Sequence, residues 1–382
     1  MRIALVVPNL EPQSGGPAQN VPRLAEALAE QGLDVEVHAV GATPASSRPR
    51  LDYWGSAPAR PRRLGRSPQM AERLLATRAD ILHANCLWML PLGYAARAAQ
   101  AKGTPLVISP RGMLAPWSLK RSRWKKALAS LLVHPGALQG ATAWHATSLQ
   151  EADDIRRLGF GQPICVAPNG VDPAAADERV ARSYYLHAAP ELEGKRILLF
   201  YSRLHAKKRV RELLADFARI AEGHADWHLL AVGIPEEFTV AALRGEAERL
   251  GIGARTTILD GRQAPKPYSL AQLFVLPTHD ENFGGVVVEA LASGVPVLTT
   301  TGTPWEDLNR VGAGRWVPIE EFPGELERLM ALAPADLAAA GERGRRWVLD
   351  AFDWREIAAT MKRFYEGLVP QGTGAGAGGN AW

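Results

Sequence analysis

Cysteine is nearly missing from this chain: only Cys86 and Cys165 occur among its 382 residues. That excludes a disulfide framework and any cysteine-rich zinc or iron–sulfur site, and it suits a reducing compartment. Long apolar runs are missing too. The apolar run at the N-terminus extends only from Ile3 to Val7, too short for a signal-peptide core and far too short for a membrane span. No other segment comes near that length, so the expected location is cytoplasmic. There is no Walker phosphate-binding pattern, no acidic D-x-D metal site and no short-period internal repeat. Asp153 and Asp154 read as acids on a helix surface, and no metal or other cofactor is expected.

What is present is ordinary for a folded protein: 47% hydrophobic and 22% charged residues, with length enough for two domains. The formal charge is only +4, but the basic excess is uneven. It concentrates in "RPRLDYWGSAPARPRRLGR" (Arg48 to Arg66) and "LKRSRWKKALASLLVH" (Leu119 to His134), both in the first half. An anionic partner for that half follows: phosphates, a membrane surface or nucleic acid. Nucleic acid is disfavoured, because no helix-turn-helix or stacking motif accompanies the charge.

Hydrophobic periodicity alternates between strand and helix from the start. Ile3 to Val7 reads as a strand, "NLEPQSGGPAQN" as a Gly-rich loop, then Val21, Leu24, Ala25 and Leu28 mark a helix ended by Gly32. "DVEVHAV", "ADILHA", "TPLVIS", "ATAWHATS" and "PICVAPNG" continue as strands. The alternation restarts with "RILLFYS" (Arg196 to Ser202), a helix near Val210 to Ile220, "WHLLAV", a helix near 239–250, "TTILDG", "QLFVLP" and "GVPVLTT". The predicted fold is α/β: two doubly wound, Rossmann-like domains facing each other across a cleft. The boundaries are 1–170, 171–353, a terminal helix over 354–368 with Ile357, Met361, Phe364 and Leu368 along one face, and a Gly-rich tail over 369–382 that reads as disordered.

Three stretches could carry chemistry. Gly15 and Gly16 lie between a strand and a helix, where backbone N–H groups can face an anion; this is not the G-x-G-x-x-G fingerprint, and a plain flexible turn explains it equally well. Arg203 and Lys208 in "YSRLHAKKRV" follow the first strand of the second half, at the sheet edge where open α/β folds bind ligands. They can grip a diphosphate from two sides, or be a solvated basic loop. In "THDENFGGVVVEALASGVPVL" (Thr278 to Leu298), Glu281 precedes Gly284–Gly285 and Glu289 sits in an apolar helix. Acids in such company usually have a partner or a task, although a capping acid and a helix-face acid remain the plainer account.

Taken together, these stretches resemble the family 4 retaining glycosyltransferases of the GT-B fold, whose E-x7-E signature is similar to "HDENFGGVVVEALASGVPVLTT". "SRLHAKK", the N-terminal Gly-Gly loop, "HATSLQEADDIRRLGF…VAPNGVD", "GTPWEDLNRVGAGRWV" and "FDWREIAATMKRFY" match in the same order, over essentially residues 1–368. "ISPRGMLAPWSLKRSRWKK" resembles the branch that builds bacterial surface polysaccharides. The resemblance implies a nucleotide-diphosphate sugar donor and a glycan or polyprenyl-diphosphate-linked acceptor. It implies that Arg203 and Lys208 bind the donor diphosphate and that Glu281 hydrogen-bonds the transferred sugar. Asn282, Phe283, Gly284 and Gly285 would offer backbone contacts, Glu289 would hold the ribose, and Gly16 would let its loop approach the phosphates. Where many members carry a histidine after the fourth strand, this chain reads Ser109-Pro110-Arg111, so Arg111 stands in its place; His83 is a lesser candidate. A sugar-nucleotide epimerase, or an inactive nucleotide-sugar-binding protein, is the competing reading. Finally, Lys120, Arg121, Arg123, Lys125 and Lys126 surround Trp124 before Leu128, Leu131 and Leu132. That pattern fits either a packed helix with a basic face or an interfacial helix contacting an anionic membrane peripherally.

Overall fold

The structure is a computed structural model that describes residues 1–11, 15–46, 48–120, 129, 132–173 and 178–369. Its first sheet contains β1 (Arg2–Val7), β2 (Asp34–Val40), β3 (Leu51–Ser56), β4 (Ile81–Asn85), β5 (Leu106–Ser109), β6 (Ala143–Ala146) and β7 (Ile164–Val166). The strand order is β3-β2-β1-β4-β5-β6-β7, all parallel. The second sheet contains β8 (Arg196–Tyr201), β9 (Trp227–Gly233), β10 (Thr256–Asp260), β11 (Ala271–Leu276), β12 (Val297–Thr300) and β13 (Gly314–Val317), ordered β10-β9-β8-β11-β12-β13 and again all parallel. In each sheet the winding reverses beside the first strand, between β1 and β4 and between β8 and β11. A crevice opens at such a reversal, outside the carboxyl ends of the strands.

Central strands read as continuous apolar runs because helices cover both faces. "ILLF" inside β8 and every residue of β9 are buried. Two edge strands lacked that signal. In β3, Asp52 and Trp54 are exposed while Leu51 is buried, so the strand sits unmarked inside a basic stretch. β13 has only four residues, and its Gly314 is required because a Cβ would lie 2.0 Å from the Val297 carbonyl oxygen. With β3 counted, Ser109–Arg111 follows the fifth strand rather than the fourth. His83 lies in the middle of β4 and Asn85 ends it.

The terminal helix Trp354–Leu368 is capped by Asp353, which accepts from the Arg355 N–H at 2.8 Å. It does not stay with the second sheet. Trp354, Ile357, Ala358, Met361 and Tyr365 join Val21, Leu24 and Leu28 in the core of the first domain. Tyr365 is fully buried, whereas Phe364 and Leu368 only flank the cluster. The connecting segment around Gly170 and Asp172 is pinned on both sides. Gly170 lies against Trp354, where a Cβ would meet the indole at 2.3 Å, and the Arg23 guanidinium donates to Asp172 at 2.9 Å.

Most of the basic–apolar stretch, including Arg121, Arg123, Trp124, Lys125, Lys126, Leu128 and Leu131, lies outside the described residues. So does the tail from Pro370 onward. Among the described residues no helix is long and apolar enough to cross a membrane.

Candidate active site

After β8 the chain turns through a single 3-10 turn, Ala206–Lys208, entered at His205, whose Nδ1 accepts from the Lys207 N–H at 2.9 Å. Arg209 leaves the turn in left-handed backbone (φ 56°). This geometry drives Lys208 inward until it is 4% exposed, with its ammonium against the Glu281 carboxylate. Lys207 takes the other side of the turn. Its ammonium is 2.6 Å from Asp280 and 4.8 Å from the centre of the Trp117 ring, which belongs to the first domain. Loops following three strands are stitched together beneath these side chains: His279 N–H donates to the Lys207 carbonyl at 2.9 Å, and Glu281 N–H to the Gly302 carbonyl at 2.7 Å.

Burial, then the neighbouring Lys207 and Arg203 cations, push the Lys208 ammonium well below its ordinary value, while Asp280 and Glu236 pull it back. Arg203 is held 2.8 Å from Glu236 and is half exposed, so it is free to exchange one oxyanion for another. The helix Gly285–Ala292 starts immediately behind, with Gly284 in left-handed backbone at φ 74°. A side chain there would press on the Trp305 indole, which donates to the Phe283 carbonyl at 2.6 Å. Phe283 itself is packed against Trp305 and Phe352, so its ring is core and its carbonyl is already taken. From the same helix Glu289 accepts from the Tyr268 hydroxyl at 2.9 Å and lies 2.8 Å from Lys266.

Asn282 faces the other way. Its side-chain amide donates to Thr147 Oγ1 at 2.7 Å, its backbone carbonyl accepts from the Ser148 hydroxyl at 3.2 Å, and its side chain abuts Gly112. Across this seam lies Arg111, which also has positive φ (55°) and is bonded to Asn85 and Asn169. Gly15 and Gly16 open the helix Gly16–Glu30 at the winding reversal of the first sheet, Gly15 at φ 88°. His83 is not on the cleft surface. It is buried in β4, with Nδ1 2.7 Å from the Tyr365 hydroxyl.

Several participants were not singled out by sequence: Thr147, Ser148 and Glu151, together with Asn85, Asn169, Lys207, Tyr268 and Gly112. "SLQE" did carry a readable signal, the capping-box spacing. Ser148 accepts from the Glu151 N–H at 3.1 Å, and the buried Glu151 carboxylate accepts from Thr147 N–H at 2.7 Å and from Gly112 N–H at 2.6 Å. Asp153 is exposed, but Asp154 is not a surface acid: it is buried, salt-bridged to Arg157 at 2.6 Å, and raised above the usual carboxylate range by burial.

The buried imidazoles give a pH prediction. Burial lowers both His83 and His145, the latter to about 3, with Arg111 adding to the effect. The unfolded chain binds these protons near the ordinary value of about 6.5, whereas the folded chain refuses them. Stability is therefore complete above about pH 6.5 and falls on acidification towards 3, by about 1.4 kcal/mol per pH unit for each group. Urea midpoints between pH 7 and 5 should show this slope, and His145→Gln should remove one proton's worth. An unchanged slope in that variant would assign the acid sensitivity elsewhere.

The comparisons agree with this architecture. The Glycosyl transferase 4-like domain matches residues 15–170, and Glycosyl transferases group 1 matches residues 186–347. The chain belongs to the group 1 glycosyltransferases, a family of transferases on the GT-B fold. Among relatives, the phosphatidyl-myo-inositol mannosyltransferase of Mycobacterium leprae is 26% identical, with 98% of each chain covered. The GDP-mannose:cellobiosyl-diphosphopolyprenol alpha-mannosyltransferase of Komagataeibacter xylinus is 25% identical over 61% of this chain and 59% of that protein. The chain spans only about half to three-fifths of the first curated relatives it matches, 51% in one and 59% in another. Among solved structures, sucrose-phosphate synthase from Thermosynechococcus elongatus superposes with a TM-score of 0.74 at 22% identity, covering 96% of this chain and 99% of that one.

Proposed function

We propose that the protein transfers a sugar from a nucleoside-diphosphate sugar, with retention of anomeric configuration, to a glycan acceptor carried on a lipid diphosphate. One observation carries this reading: a buried lysine, Lys208, held against Glu281 where the second sheet reverses its winding, directly before a helix N-terminus. A relative's name that specifies a diphosphopolyprenol acceptor supports the acceptor class and a role in surface-polysaccharide assembly. The uneven basic charge of the first half supports peripheral contact with an anionic inner leaflet.

The chemistry asks for little covalent participation. As the bond from the anomeric carbon to the diphosphate breaks, negative charge grows on the leaving oxygen and the sugar becomes oxocarbenium-like. Lys208, Arg203 and the N–H groups opening Gly285–Ala292 would stabilise that charge, the task a divalent ion performs elsewhere; no metal is part of the proposal. The acceptor hydroxyl adds to the same face and its proton passes to the leaving phosphate, so no protein nucleophile is needed. Glu281 would take hydroxyls of the transferred sugar, and Glu289, fixed by Tyr268, would take ribose hydroxyls.

A thermal-shift screen of UDP-, GDP- and ADP-sugars, followed by product analysis with and without a lipid-linked acceptor, tests the reading. Glycosylated lipid with the donor's anomeric configuration is the expected product. Epimerised donor, or binding without turnover, would replace it with one of the competing functions.

A further inference from the structure

Arg111 is a half-buried cation with no carboxylate in contact with it among the described residues. Its left-handed backbone costs a non-glycine residue about 1–3 kcal/mol and persists only where surroundings impose it. Asn85 and Asn169 hold its side chain. The guanidinium donates from Nε at 3.1 Å and Nη2 at 2.8 Å to Asn85 Oδ1, and from Nη1 at 2.8 Å to Asn169 Oδ1. Both acceptors are neutral. The acid acting on it most strongly, Glu151, has its carboxylate occupied by Thr147 and Gly112. The cleft cations of the second domain differ: Arg203, Lys207 and Lys208 each touch a carboxylate.

A guanidinium has five N–H donors, and three are used. The two left over, one on each terminal nitrogen, can still donate to a carboxylate or phosphate oxygen. Arg111 keeps partial exposure at the cleft edge. Its chain neighbour Gly112 abuts Asn282, where a Cβ would meet Asn282 Cβ at 2.6 Å, so Arg111 lies beside the loop carrying Glu281. Among the described residues the polar lining behind adds no carboxylate to it. His83 Nε2, His145 Nδ1 and Ser109 Oγ are buried without partners, and both imidazoles are neutral at pH 7.

We infer that Arg111, oriented by Asn85 and Asn169, is an anion site on the first-domain wall of the cleft, taking a carboxylate or phosphate that belongs to the acceptor or to the transferred sugar. This rests on the donor reading above only for its placement opposite the diphosphate site.

Calorimetric titration of the full chain, with and without saturating UDP, GDP or ADP, tests it using two probes. Farnesyl diphosphate represents an acceptor phosphate, and glucuronic acid represents a sugar carboxylate. The wild type is expected to bind one of them in a salt-sensitive manner, and the probe that binds names the source. Arg111→Gln should weaken that binding tenfold or more, and Arg111→Lys less. Asn169→Asp is the decisive variant. It keeps the shape of the site but gives the guanidinium an internal counter-ion, so it should raise Tm while also weakening the probe tenfold or more. Wild type that binds neither probe, or Asn169→Asp and Arg111→Gln that bind as wild type does, would overturn the site. Failure of UDP, GDP and ADP alike to bind would instead sink the donor reading, and the probe titrations without nucleotide would still stand.

Discussion

Lys208→Met is expected to lower kcat/KM for sugar transfer on the order of a hundredfold or more, about 2.7 kcal/mol of transition-state stabilisation. The size follows from burial. A cation removed from water and aimed at a growing negative charge is screened far less than a surface lysine, and Lys208 is 4% exposed beside Glu281. In the proposed reaction the loss should fall mainly on kcat, because charge on the leaving diphosphate grows only as its bond to the sugar breaks. Arg203→Ala should act in the same direction but more weakly, since that side chain is half exposed and tied to Glu236. Removing Lys208 leaves the Glu281 carboxylate without its partner, so the double variant Lys208→Met with Glu281→Gln separates lost chemistry from a disturbed fold. Turnover within threefold of wild type in Lys208→Met, in a protein that still melts cooperatively, would remove this lysine from the mechanism.

Tyr365→Ala should cost the first domain about 3–5 kcal/mol. The ring is fully buried among residues of two helices that are distant in sequence. Its hydroxyl is also the partner of His83 Nδ1 at 2.7 Å, so truncation leaves a cavity and an unsatisfied imidazole together. Tyr365→Phe isolates the second contribution, about 1–3 kcal/mol. Because the helix Trp354–Leu368 belongs to the first-domain core, the loss should appear in the unfolding of residues 1–170 rather than of the second sheet. Hydrogen exchange resolved by segment would check this. Protection lost evenly in both domains would show that the helix stabilises the protein as one unit instead.

The alternation of strand and helix, the restart near residue 196 and the position of the Glu281–Glu289 stretch were legible in the sequence. Each depends on local chemistry: apolar runs for buried parallel strands, periodicity for helices, glycine where the backbone must turn left-handed at Gly284. Edge strands β3 and β13 were not legible, because a strand packed on one side carries a diluted pattern. The terminal helix showed its apolar stripe, yet the choice of Tyr365 over Phe364 as the innermost ring depends on how the helix is rotated against Val21, Leu24 and Leu28.

Pairing across distance was decided only by the tertiary structure. Lys208 meets Glu281 because β8 and β11 are neighbours in the sheet although far apart in the chain. Asn282 turned out to bind Thr147 across the domain seam, and Phe283 to be core. His83 became a buried partner of Tyr365 because a helix from the far end of the chain lies over β4. The neutral cradle of Arg111 is assembled from Asn85 after one strand and Asn169 after another. A sequence states which groups are available at each turn; which of them are brought within 3 Å, and which charge is left without a partner, is fixed by strand order and by the docking of one domain on the other.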